Sequence, residues 1–161
     1  MARHIYTAEI SWTCSGDFAT NAYSRGHSWR FDGGVEVPAS ASPVVVPLPH
    51  SVAEAVDPEE AFVAAISSCH MLWFLDLARQ NGLNIEAYED KAEGVMARVA
   101  PRKMAVTEVT LKPVLTIRAA EAPLPELIED IHEKAHELCF IANSVKSEIK
   151  VEPQPVRLIA P

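Results

Sequence analysis

The sequence predicts an α+β fold, a mainly antiparallel sheet wrapped around two core helices, and three observations carry that expectation. Strand-like segments precede, separate and follow two helical segments, so helices and strands do not alternate strictly as a parallel α/β fold requires. The 161 residues are 48% hydrophobic and 22% charged, which suits one domain spanning residues 1–161 with a substantial core. The stretch from Phe62 to Leu77 is apolar nearly all round, the mark of a helix enclosed by other elements. One small sheet gives such a helix too little cover, so a homodimer is expected.

In chain order, Tyr6, Ala8, Ile10 and Trp12 alternate with Thr7, Glu9 and Ser11, the period of a half-buried strand, until Gly16 and Asp17 interrupt it. A second strand is expected at Ser28 to Phe31, closed by the turn Asp32-Gly33-Gly34. Val35 to Val56 holds Pro38, Pro43, Pro47 and Pro49, which rules out a helix and leaves room for one short strand at Val44 to Val46. Connections of this length in compact domains are often functional. The first helix starts with Asp57 as cap, Pro58 in the first turn, and Glu59 and Glu60 at the positive end of the dipole. It should run to about Asn81 and stop at Gly82. Extended segments follow near Ile85 to Val99 and Val106 to Ile117, with Pro101-Arg102-Lys103 turning between them. Val109, Leu111, Leu115 and Ile117 share one face, and Pro113 among them marks an edge or a bulge. A second helix is expected from about Pro125 to Ala142, with Ile128, Ile131, Ala135, Leu138 and Ala142 as its apolar stripe. Val145, Ile149 and Val151 supply a last strand before a proline-punctuated tail.

The net charge is −8, from 22 acidic against 14 basic residues, and no basic cluster offsets it. That balance argues against nucleic-acid binding, which needs concentrated Lys and Arg. Met1 to Trp12 lacks the apolar core of a signal peptide. The apolar stretch Ala61 to Ala78 carries Ser67, Ser68, His70 and Asp76, which suits a buried helix better than a membrane span. Three cysteines without a CxxC pair imply neither a zinc ribbon nor a disulfide framework. The expected home is the reducing cytoplasm, where any disulfide is transient and functional.

Two of those cysteines lie on the two predicted helices: Cys69 in the middle of the first and Cys139 near the end of the second. A free cysteine is most often a small buried hydrophobe. Here, however, the two helices should pack together, and packing can bring two cysteines within the roughly 4.4–6.8 Å Cα separation that a disulfide requires.

The residues around them resemble a known family. Asp57-Pro58-Glu59-Glu60, then the small-residue run Ala61-Phe62-Val63-Ala64-Ala65-Ile66-Ser67-Ser68 ending in Cys69, resembles the first-helix signature of the OsmC/Ohr family. Ala135-His136-Glu137-Leu138-Cys139 resembles its second-cysteine helix, and the order of elements matches over most of the chain. The resemblance implies an intertwined homodimer with active sites at the interface. It also implies a thiol peroxidase that reduces organic hydroperoxides in a stress response, with no cofactor beyond its own thiols. Cys69 would attack the peroxide, Cys139 would resolve the resulting sulfenic acid as a disulfide, and an external dithiol would reduce the pair. Met71, Trp73 and Phe74 near Cys69 in sequence would favour an alkyl or lipid hydroperoxide. The chain departs from the pattern where Phe140-Ile141 follow Cys139, in place of a proline that members often carry. The long proline-rich connection and Cys14, which reads as a structural thiol, also lie outside it. Together these departures mark a divergent branch.

Peroxide reduction needs a thiolate, and burial in an apolar helix works against one. Cys69 also lies too deep in its helix for the N-terminal dipole to help. A cation is required, and arginine stays charged when buried. Arg25, in Tyr23-Ser24-Arg25-Gly26-His27, looks like the family's N-terminal active-site arginine; Arg30, in Trp29-Arg30-Phe31, is its competitor. Glu59 matches the family's glutamate that holds this arginine, although a helix-start carboxylate explains it equally well. Ten positions of helix, roughly 15 Å, separate Glu59 from Cys69. If Glu59 is functional, a partner subunit must therefore supply it, twice over by symmetry.

Two other readings remain open. His132-Glu133-Lys134-Ala135-His136 is a literal HExxH, the zinc-hydrolase spacing, but its histidines fall on the helix flank and Cys139 stands where the extended motif needs glycine. His27, His50 and His70 have no recognisable partners. The other reading is a non-catalytic member of the same fold that binds an apolar ligand between its helices.

Overall fold

A computed structural model describes residues 3–161; Met1 and Ala2, where the signal-peptide reading begins, lie outside the described residues. The chain divides into two compact units, one ending at Ala61 and one beginning at Phe62.

In the first unit, β1 (Ala8–Ser11), β4 (His27–Phe31) and β5 (Glu36–Ala39) form an antiparallel sheet in the order β1-β4-β5. Between β1 and β4 the chain makes a tight ribbon of β2 (Gly16–Asp17) and β3 (Ala22–Tyr23). The Asp17 carboxylate accepts the N–H groups of Ala19 and Thr20 to close that turn. Gly16 is obligatory there: its φ is +109°, and a Cβ would lie 2.3 Å from the Ala22 carbonyl oxygen. The strand expected at Val44 to Val46 is instead a turn. The N–H groups of Val45 and Val46 both reach the Ser42 carbonyl, and the Ser42 hydroxyl accepts that of Val44. Flanking prolines and a serine able to satisfy the backbone locally outweigh the β-preference of three valines. The strand of this region is β5, upstream, which forms a parallel bridge from Ala39 to Val56.

The helix α1 (Pro58–Gln80) begins with a reciprocal capping box: the Asp57 carboxylate accepts the Glu60 N–H, and the Glu60 carboxylate accepts the Asp57 N–H. It ends as expected at Gly82, φ +77°, where the N–H of Leu83 bonds Ala78 and that of Gly82 bonds Arg79. This is the paired arrangement that satisfies the last carbonyls of a helix.

In the second unit, β6 (Ile85–Asp90), β9 (Pro113–Arg118) and β11 (Arg157–Ile159) form one sheet, ordered β11-β9-β6. A second sheet, ordered β10-β8-β7, holds β7 (Glu93–Ala100), β8 (Lys103–Leu111) and β10 (Glu148–Val151). The β6–β9 and β7–β8 pairings are antiparallel, while β10 and β11 add in parallel at the edges. Each of the two extended segments read from the sequence is thus two strands. The break has a cause at Asp90, whose carboxylate accepts the Lys112 N–H and the Ser67 hydroxyl of α1, while Pro113 has no N–H to continue a ladder. Consequently Val109 and Leu111 pack in one core cluster with Ile66, and Leu115 and Ile117 in another with Phe74 and Ala78. The single shared face expected of those four residues is divided. The strand β11, in the proline-punctuated tail, carries too short an apolar pattern to be read from sequence.

Within the second unit α1 is buried along one stripe, Ile66, His70, Phe74 and Ala78. Its opposite face (Ala64, Ala65, Ser68, and Leu72 at 61% exposure) is open rather than enclosed all round. By length and composition α1 could cross a membrane, yet its buried stripe packs into a protein core. The second helix, α2 (Pro125–Leu138), is four residues shorter than expected. Cys139 turns to ψ 111°, and the Asn143 side chain donates to the carbonyls of Glu137 and Cys139, replacing the next turn of helix. The buried stripe of α2 is Ile128, Ile131, His132 and Ala135; Leu138 is 42% exposed.

Gly94 of β7 sits against α1, where an added Cβ would lie 2.6 Å from Val63 Cγ2. Gly94→Ala is therefore expected to lower stability by about 1–3 kcal/mol, the usual range for overpacking. Gly94→Ala combined with Val63→Ala is expected to recover most of that loss relative to Val63→Ala alone, as read by urea unfolding.

Candidate active site

The second unit brings two of the predicted site residues together. Cys69 lies half-buried on α1, one residue before buried His70, and Cys139 lies fully buried just past the end of α2. Burial pushes the Cys139 thiol up to about 11, and the neighbouring Cys69 thiol adds to the rise. The backbone N–H of Ala142, 3.4 Å from Cys139 Sγ, works the other way without offsetting the desolvation. At neutral pH Cys139 is held as a thiol and shielded from solvent, while Cys69 is the accessible member of the pair. Trp73, one turn after Cys69, meets Phe140 edge to face with ring centroids 5.5 Å apart. Phe140, the residue after Cys139, thus packs on α1, the helix that carries Cys69.

His70 is not without a partner. Its Nε2 lies 2.9 Å from Nδ1 of His132, the two ring planes are within 4° of parallel with centroids 5.2 Å apart, and Phe74 packs on the His132 ring at 4.2 Å. His132 is 3% exposed and His70 is 1% exposed, so the expected flank position of His132 is corrected to a core position. Sequence reasoning missed this pair because an i,i+4 helical pattern shows which residues share a stripe but not which residue faces them across an interface. The available signal was that His70 and His132 interrupt the two apolar stripes. Glu133 is exposed, and among the described residues no group of three or more His, Cys, Asp or Glu is gathered to hold a metal ion.

In the first unit Arg25 is fixed at every point. Its N–H donates to the His50 carbonyl, and its own carbonyl lies 2.8 Å from His27 Nδ1, whose Nε2 accepts from the Trp29 indole. Its guanidinium donates to the carbonyls of Asn21 and Tyr23 and to Asn21 Oδ1, and it stacks 3.7 Å above the Tyr23 ring. His27 and His50, partnerless in sequence, are thus backbone anchors for this arginine. Arg25, with Ile10, Trp12, Phe18, Tyr23 and His27, lines a cavity of about 450 Å³. This cavity lies among residues of the first unit. Arg30, the competitor, makes ion pairs with Glu36 and Glu9 on the exposed side of β4. Glu59 is half-buried, and among the described residues it makes no ion pair. The helix α1 is unbroken, so the ten-residue separation of Glu59 from Cys69 stands. Cys14 is exposed, its Sγ 3.7 Å from the Gly16 carbonyl oxygen.

The fold and site define a class: an α+β protein with two neighbouring free cysteines, one on α1 and one just past the end of α2. The model of the OsmC-like protein family matches residues 51–154, and the chain belongs to that family. An OsmC-like protein of unknown function from Vibrio cholerae is 45% identical, with 94% of this chain and 100% of that one covered at a TM-score of 0.91. Two organic hydroperoxide resistance proteins share the fold at low identity. One, from Elizabethkingia anophelis, is 17% identical (98% and 100% covered, TM-score 0.64). The other, from Bacillus subtilis, is 16% identical (96% and 98% covered, TM-score 0.55). No curated protein matches the sequence.

Burial holds His70 at about 4 and His132 at about 3, with His136 and His70 respectively adding charge repulsion. Unfolded histidines titrate near 6.5, so the unfolded chain binds more protons between those values. Stability is accordingly full above about pH 6.5 and falls as pH drops toward 3–4, with a slope of up to about 1.4 kcal/mol per pH unit for each histidine. Urea unfolding from pH 7 to 4 is expected to show this slope in the wild type. Replacing both histidines with phenylalanine is expected to flatten it.

Proposed function

We propose that this protein is a thiol-dependent peroxidase that reduces organic hydroperoxides. The observation that supports the reading is that half-buried Cys69 is a neighbour of buried Cys139, near enough to raise its pKa. The Cys69 thiolate attacks the outer oxygen of RO–OH. The O–O bond breaks, the alkoxide takes a proton and leaves as alcohol, and Cys69 becomes a sulfenic acid. The sulfur of Cys139 then attacks the Cys69 sulfur, water leaves with the Cys139 proton, and a Cys69–Cys139 disulfide remains. An external dithiol returns both to thiols and is itself oxidised to a disulfide. The raised Cys139 thiol suits the resolving role, because a sulfur held protonated and fully buried is a poor first nucleophile.

Arg25 is the arginine of this reading. Its fixed guanidinium beside an aromatic, apolar cavity suits an organic peroxide, and Arg30 is already committed to surface carboxylates. The active unit in this reading is a homodimer, in which the partner subunit's Glu59 supplies the carboxylate that Arg25 lacks and a second copy covers the open face of α1. The reducing cytoplasm is the compartment that keeps such a pair in its thiol form. The apolar cavity also fits a non-catalytic ligand binder, and turnover separates the two.

Treatment with one equivalent of cumene hydroperoxide is expected to give a Cys69–Cys139 disulfide by peptide mass spectrometry; modification at Cys14 alone, or none, sinks the reading. Cys69→Ser is expected to reduce dithiol-dependent turnover to background, and Cys139→Ser to leave a Cys69 sulfenic acid trappable by dimedone. Arg25→Ala is expected to lower kcat/KM on the order of a hundredfold, the scale for removing one preorganised charge-stabilising donor.

A further inference from the structure

The two helices that carry the cysteines meet across an apolar interface with one polar interruption. The buried stripe of α1 is Ile66, His70, Phe74 and Ala78, and that of α2 is Ile128, Ile131, His132 and Ala135. Apolar packing is non-directional, so it resists separation of two helices better than it resists a small slide or rotation. The hydrogen bond from His70 to His132, at 2.9 Å, is directional. Among the described residues it is also the single polar contact of either ring: His70 Nδ1 and His132 Nε2 are buried and have no partner there. A neutral imidazole has one donor and one acceptor nitrogen. Whichever tautomers are present, the pair therefore carries one satisfied bond in its middle and two orphan ends. Any slip that breaks the central bond leaves four buried nitrogens unsatisfied instead of two, a penalty that apolar side chains in those places would not impose.

The bond sits where it can act on the thiols. His70 follows Cys69 directly, and His132 lies seven residues before Cys139 on the helix whose end delivers it; the Cys139 N–H is itself bonded to the carbonyl of His136 in the last turn. The sulfur separation is thus a function of the register between α1 and α2, and this bond fixes that register. Disulfide closure tolerates little error in that register.

We infer that the buried His70–His132 hydrogen bond is a positioning element that holds Cys139 against Cys69 and so sets the reduction potential of the pair. The inference rests on the disulfide of the proposed function. The two histidines act through helix register and need not touch peroxide.

The test is the equilibrium with dithiothreitol, in which the protein dithiol gives two electrons and two protons to oxidised dithiothreitol and becomes the disulfide. Peroxidase activity is not needed to measure it. His132→Phe keeps a ring on Phe74 and removes the bond, whereas His132→Asn offers a polar atom in place of Nδ1. His132→Phe is expected to shift the equilibrium constant about tenfold toward the dithiol, about 30 mV for this two-electron couple, and His132→Asn to restore it to within threefold of wild type. His70→Phe combined with His132→Phe leaves no orphan nitrogen, so it replaces the single variant should that fail to fold. The double variant is expected to show the same shift with no loss of reduced-state stability to urea, a combination that a merely structural pair would not give. A constant within threefold of wild type in either phenylalanine variant overturns the inference. If the wild type forms no Cys69–Cys139 disulfide even with excess oxidised dithiothreitol, the proposed function fails first and this inference falls with it.

Discussion

The packing of α1 on α2 is the constraint on which the chemistry of the second unit depends. Four residues of each helix are buried in stripes, and in both stripes a histidine stands where an aliphatic residue would pack with less penalty. Burying two imidazoles costs their hydration, and here one hydrogen bond and two ring contacts are the return. An interface of leucines would be more stable and less particular about register. The fold holds instead a pairing that is good in one arrangement and poor in its neighbours.

The same region makes the two cysteines chemically unequal. Desolvation dominates at Cys139, which the turn at Phe140–Asn143 closes over and which receives an N–H from Ala142. Cys69 sits in mid-helix with part of its surface open, bounded by Trp73 and its edge-to-face contact with Phe140. The family's usual proline after the second cysteine is absent, and an aromatic occupies that stretch. The departure visible in the sequence puts a ring where it meets Trp73 of α1 edge to face.

The first unit invests heavily in a single side chain. Arg25 is anchored through its own N–H and carbonyl, through three acceptors on Asn21 and Tyr23, and through the face of the Tyr23 ring. A cation fixed in this way beside an apolar cavity loses little freedom when it meets a polar group of a ligand, which is the energetic advantage of preorganisation. Arg30, five residues on, carries the same charge on the solvent face of a sheet, where exposed ion pairs contribute little.

The sequence by itself determined the α+β class, the start and stop of α1, the two cysteines and the candidate arginine, because those signals are local. A capping box, a glycine with positive φ and a run of small residues before a cysteine act on their own neighbours in the chain. Where short-range signals competed, the reading erred. Three valines between prolines were taken by the serine before them, and α2 lost its last turn to the side chain of Asn143, five residues beyond its end. What only the tertiary structure decided is pairing at a distance: which histidine faces which, that Asp90 divides two long segments into four strands, and that His27 and His50 hold Arg25. Apart from His27, two positions from Arg25, those outcomes join groups 22 to 62 positions apart. Periodicity gives the face on which a residue lies; only packing gives what it meets there.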